Sequence, residues 1–154
     1  MSTPTDKQLD GDAALPIVVG VDGSECSLRA LRWAAEQARL TGRHLRAVVT
    51  WEWPSLYGQA VVWPAEMNIE DDAKKVLRES VEKALGSEGA DQVDCVVLEG
   101  HPAAVLRDQS SQAELVVVGS RGHGEIAGML IGSVSEYLAT HAKCPVVIIR
   151  CAGT

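Results

Sequence analysis

Phenylalanine is absent from this 154-residue chain, and cationic side chains are scarce: 14 Lys and Arg face 21 Asp and Glu, a formal charge of −7 at pH 7. That balance opposes attraction to nucleic-acid phosphates or to an anionic bilayer, so an anion site here has to rely mainly on backbone N–H groups. No apolar run approaches the roughly 20 residues that span a bilayer, and the opening MSTPTDKQLDGDAALP is polar rather than signal-like. A cytoplasmic protein with no membrane and no nucleic-acid partner is expected. The four cysteines, Cys26, Cys95, Cys144 and Cys151, form no CxxC pair and have no histidine at metal-ligand spacing, which excludes a zinc site and predicts reduced, structural thiols. A G-x4-G-K-[ST] loop is also lacking, as are a nucleophile with its base and a carboxylate cluster near the glycines. A fast phosphoryl-transfer enzyme therefore lacks its usual parts.

What is present, at 46% hydrophobic content, suffices for one domain with a real core. Residues 1–14 carry Ser, Thr, Pro, Asp and Gly without period and read as a mobile tail, leaving a domain over 15–152. The β-branched run from Ile17 to Val21 predicts a strand buried on both faces, and Asp22-Gly23-Ser24 turns it into a helix over 25–41 with Ser24 as N-cap and Gly42 as stop. His44 to Trp51 reads as a second strand. The segment from Glu52 to Glu66, with Trp53, Tyr57 and Trp63, is a long loop: a lid or partner surface, or rings packed on the next helix. Asn68 to Leu85 is amphipathic and ends at Gly86, Val93 to Leu98 is a third strand, and Gly100-His101-Pro102 leads into a short helix ending near Ser111. Leu115 to Val118 is a fourth strand, Gly132 to Ala142 a helix and Pro145 to Arg150 a fifth strand. Strict alternation predicts a doubly wound parallel sheet with helices on both faces and right-handed crossovers. Ligands in such sheets bind beyond the carboxyl ends of the strands, and the first and fourth strands each end in a glycine-containing loop before a helix. His44, His101 and His141 stand at element boundaries, where surface or capping roles are expected.

The fourth strand runs into Gly119-Ser120-Arg121-Gly122-His123-Gly124, and Gly132-Ser133-Val134 opens the following helix. Gly119 and Gly122 let the backbone turn tightly and approach a ligand. Gly132 and Ser133 place N–H groups and a hydroxyl at the positive end of a helix dipole, a natural phosphate seat. Arg121 and His123 are either solvent-facing loop residues or cations placed to meet the outer phosphates.

Written out, Gly119, Gly122, Gly132 and Ser133 form G-x2-G-x9-G-S, which resembles the ATP-binding signature of the universal stress protein family. The opening IVVGVDGSECSLRALRWA, the loop GSRGHGEIAGMLIGSVSEYL and the ending CPVVIIR resemble that family as well, over roughly residues 16–150. The resemblance implies a Rossmann-like, adenine nucleotide alpha-hydrolase-like α/β domain of five parallel strands in the order 3-2-1-4-5. It implies ATP, with Mg2+, across the ends of strands one and four. Gly119, Gly122, Gly124, Gly132, Ser133 and Val134 would then approach ribose and phosphates, while Gly20, Val21 and Asp22 would line the adenosine side and Thr50 would contact adenine. It further implies a stress-response regulatory module, with at most slow hydrolysis, that forms a homodimer through the C-terminal strand and acts on a protein partner the sequence does not name. A dimeric scaffold or a binder of AMP or cyclic AMP is the alternative; an adenylyl-transferring enzyme and a two-component receiver lack their signatures.

Overall fold

The computed structural model describes residues 15–54, 62–122 and 131–151. Along the chain it forms β1 (Ile17–Gly20), α1 (Glu25–Thr41), β2 (Leu45–Trp51), α2 (Ile69–Ala90), β3 (Val93–Glu99), α3 (Pro102–Ser110), β4 (Leu115–Gly119), α4 (Ser133–His141) and β5 (Val146–Ile149). The strands make one parallel sheet in the order β3-β2-β1-β4-β5. At its centre Val19 of β1 pairs with Ala47 of β2 on one side and Val117 of β4 on the other.

Because side chains alternate along a strand, the continuous apolar runs of β1 and β4 feed two cores. Ile17, Val19 and Val117 pack with Leu31 and Ala34 of α1 and Leu77 and Val81 of α2. Val18, Val48, Val116 and Val118 pack on the opposite face with Leu106 of α3 and Leu138 of α4. Each fully buried Val or Leu contributes about 1.5–3 kcal/mol, and together they hold the strand ends in place.

Local chemistry sets the boundaries. Ser24 is extended (φ −71°, ψ 157°) and its Oγ accepts the Ser27 N–H at 3.2 Å, capping α1; Gly42 closes that helix in the left-handed region at φ 67°. Gly86, at φ 77° and ψ 170°, breaks α2 where a helix end was expected, and a short further helical stretch carries the element to Ala90. The remaining ends fall within a residue or two of expectation. Trp51 ends β2 and packs on the first core. Trp53 stands edge-on to it with ring centroids 5.8 Å apart and remains 45% exposed. Tyr57 lies outside the described residues.

One expectation is corrected. Cys26 and Cys151 are joined in a disulfide, with Cα atoms 5.4 Å apart, and only Cys95 and Cys144 are free thiols. The two partners are 125 residues apart in the chain, so no spacing signal announces them. They meet because α1 packs over β4 and β5, bringing the first turn of the helix to the end of the last strand.

Candidate functional site

Five parallel strands bring all their carboxyl ends to one rim, and the helices that follow the first four start there. A cavity of about 550 Å³ opens at this rim, within the range of small-molecule sites. Gly20, Val21 and Asp22 line it from the end of β1, Thr50 from the end of β2, Gly119, Arg121 and Gly122 from the end of β4, and Gly132, Ser133 and Val134 from the start of α4. His123 and Gly124 lie outside the described residues.

The floor is a tightly stitched junction between β4 and α4. Ser120 donates its N–H to the Ile149 carbonyl at 2.8 Å, its own carbonyl accepts the Gly132 N–H at 2.5 Å, and Ser135 Oγ donates to the Gly119 carbonyl at 2.7 Å. Gly132 is the N-cap of α4, extended at φ −78° and ψ 168°, and makes no side-chain cap. The first N–H groups of the helix, at Ser133, Val134 and Ser135, have no intrahelical acceptor and border the cavity. A helix start of this kind is able to seat an anion without lysine.

Gly119 and Gly122 serve differently from expectation. Neither adopts a left-handed φ. A side chain at Gly119 would start 2.6 Å from Cys26 Sγ and 3.0 Å from the Cys26 carbonyl carbon, and one at Gly122 would collide with the Asp22 carboxylate. Their lack of a Cβ is needed for close packing across the rim rather than for turning. Gly20 is similar, since a Cβ there would meet Leu106 Cδ1 at 2.8 Å.

Asp22 does two things at once. Its Oδ1 accepts the Ser24 N–H at 2.9 Å and the Ser24 hydroxyl at 2.5 Å, so it is a turn former, and its carboxylate also lies against Gly122 on the cavity wall. Glu52 and Asp72 line the cavity as well, and Arg121 is the one lysine or arginine among its described lining residues.

Sequence reasoning missed part of the wall. The helical face that carries Ile69, Ala73 and Val76 of α2 reads as a core face; Ala73 does join the first core, but all three residues also line the cavity. For His101 a surface or capping role was expected, and it caps α3: Nδ1 accepts the Ala103 N–H at 3.3 Å. It lines the cavity too, and the rule that placed ligands at strand ends, extended to β3, would have found it.

The sequence model of the universal stress protein family matches residues 15–150, nearly the whole of this domain. The chain belongs to the universal stress protein family. Curated relatives include a universal stress protein of Mycobacterium tuberculosis, 38% identical over 141 residues that cover 88% of this chain and 45% of the relative. Another, from Mycolicibacterium smegmatis, is 33% identical over 145 residues, covering 94% of this chain and 49% of the relative. The chain thus spans about half the length of the curated relatives it matches. Among solved structures, a universal stress protein from Archaeoglobus fulgidus aligns with TM-score 0.65 at 28% identity, over 92% of this chain and 98% of its own. One from the same organism in complex with dAMP gives 0.62 at 27% identity, covering 89% and 98% of the two chains. A universal stress protein in complex with cAMP gives 0.62 at 29%, covering 88% and 95%. The strand order implied by the universal stress protein resemblance is the order found. Among the described residues no helix is long and apolar enough to cross a membrane.

Proposed function

We propose that the chain binds ATP in the rim cavity and works as a nucleotide-dependent regulatory module of the stress response. The observation that carries this reading is the convergence, on one cavity, of an anion seat at the α4 N-terminus and the carboxylate of Asp22. Phosphates lie along Gly132, Ser133 and Val134 with Arg121 as counter-charge, and Asp22 accepts hydrogen bonds from the ribose hydroxyls. The base sits near Val21 and Thr50, against the apolar wall of α2. His123 and Gly124, by resemblance, belong to the phosphate loop. Mg2+ would be held by the phosphate oxygens, with the Asp22 carboxylate on the same cavity wall. In this reading the site positions a nucleotide rather than turning it over, and turnover falls below the usual enzyme range of about 1 to 10³ per second.

Solved relatives complexed with dAMP and cAMP favour a second reading, an adenosine monophosphate ligand at the same cavity. Calorimetric titration of ATP with Mg2+, AMP and cAMP into nucleotide-free protein separates the two. Tighter binding of ATP supports the proposal; tighter binding of a monophosphate replaces it, and no heat from any of the three refutes both.

The edge of the sheet supports the homodimer reading. At the edge of the sheet, β5 has β4 as its one neighbouring strand, and Val146, Val147, Ile148 and Ile149 are all partly exposed. An apolar edge of this kind pairs with a second copy through residues 145–150. Sedimentation at micromolar concentration should give a dimer; a monomer there contradicts this interface.

A further inference from the structure

We propose that the Cys26–Cys151 pair is a reversible thiol–disulfide exchange site whose oxidised state holds the phosphate seat in its binding form, an inference that rests on the nucleotide reading above. The disulfide lies directly beneath the junction that presents α4. Cys26 is in the first turn of α1 and is buried against Gly119, while Cys151 follows β5 and is half-buried. Between them sits Ser120, a buried hydroxyl with Oγ 3.9 Å from Cys26 Sγ and 3.6 Å from Cys151 Sγ, which also accepts the Cys151 N–H at 3.3 Å. The carbonyl of that same serine holds the N-cap Gly132. One residue thus touches the disulfide through its side chain and the anion seat through its backbone.

Reduction obliges the two sulfur atoms to separate beyond bonding distance. Cys26 is buried in the first turn of α1, so close to β4 that even a Cβ at Gly119 would start 2.6 Å from its sulfur, whereas Cys151 lies beyond the end of β5 and is half-buried. Cys151 is therefore the partner that moves, and its movement removes the N–H that the Ser120 hydroxyl accepts. With that tie gone, the Ser120 carbonyl and the Gly132 N–H lose part of what aligns them, and the first turn of α4 is less well ordered for an anion.

The exchange balances with a small-molecule disulfide as oxidant. The more accessible Cys151 thiolate attacks the small disulfide, breaking its S–S bond, expelling one thiolate and forming a mixed disulfide. Cys26, in the first turn of a helix whose dipole favours the thiolate form, attacks Cys151 Sγ and expels the second thiolate. One S–S bond has broken and one has formed, the two electrons reside on the two released small thiols, and those thiols take up the two protons. Cys95 and Cys144 are poor competitors: burial, as the larger cause, pushes both thiols up, with Asp94 adding to it at Cys95 and Glu114 at Cys144, partly offset there by a hydrogen bond from the Val116 backbone.

The test is ATP titration of the full chain after equilibration with oxidised glutathione or with dithiothreitol, with free thiols counted by a chromogenic reagent in each state. The oxidised protein should show only the thiols of Cys95 and Cys144 and bind ATP about fivefold or more tightly than the reduced protein. By linkage, saturating ATP should shift the disulfide–dithiol equilibrium toward the disulfide by the same factor. Cys151→Ser should bind with the reduced affinity in both buffers. All four thiols reacting after oxidation overturns the pairing. A formed disulfide with equal ATP affinity in both states overturns the coupling and leaves the nucleotide reading intact, whereas no ATP binding in either state overturns both.

Discussion

Gly132→Asp should weaken ATP binding about a hundredfold, some 2.8 kcal/mol, while leaving the domain as stable as before or slightly more so. The opposed signs follow from one geometry. Gly132 is an N-cap with extended backbone angles that any L-residue adopts, and it makes no side-chain cap. Its N–H bond to the Ser120 carbonyl survives replacement by any residue but proline. An aspartate there accepts the N–H groups of the first turn, which stabilises a helix by a few tenths of a kcal/mol relative to glycine. Those are the donors the phosphates need, and a fixed carboxylate beside them repels the ligand. Charge-assisted hydrogen bonds are worth about 1.5–3 kcal/mol each, so the loss of one or two accounts for the expected factor. Calorimetry and thermal unfolding on the same sample measure the two effects. If affinity and stability fell together, the substitution would have damaged the fold, and if affinity stayed unchanged the phosphates would not sit at α4.

Asp22 allows a separation of its two tasks. In Asp22→Asn the amide oxygen keeps the bonds from the Ser24 N–H and hydroxyl, while the charge and the second acceptor are lost. ATP affinity should fall about tenfold by calorimetric titration. In Asp22→Ala the turn goes too, and stability should drop by about 1 kcal/mol on top of the same binding loss. Were Asn to bind ATP as tightly as the wild type, Asp22 would be a turn former alone and the ribose would be held elsewhere.

Much of this was legible in the residues because it is local. The β-branched runs, Ser24 before a helical period and Gly42 after it fix where elements begin and end, and alternation of strand and helix leaves few ways to wind them. The cavity residues at the ends of β1 and β4 were legible for the same reason, since the topology sends them to one rim. What escaped the sequence is contact between distant segments. Gly119 and Gly122 looked like turn glycines, yet what excludes a side chain is Cys26 in one case and Asp22 in the other, both far back in the chain. Cys26 and Cys151 looked like unrelated thiols for want of any pattern linking them. Ile69, Ala73 and Val76 have the period of a core face, and nothing in that period tells where the sheet beneath stops and the cavity starts. Ser120 carries no motif signal, but its side chain and backbone join the disulfide to the anion seat.

In the proposed complex ATP lies across the ends of β1 and β4 with its phosphates on the first turn of α4. Following the ATP titration through the backbone amide resonances of the isotope-labelled protein tests it most directly. The account predicts the largest, saturable shifts at Ser133, Val134 and Ser135, with smaller ones at Val21, Asp22 and Thr50. Saturable shifts confined to other surfaces, with the amides of α4 undisturbed, would contradict it.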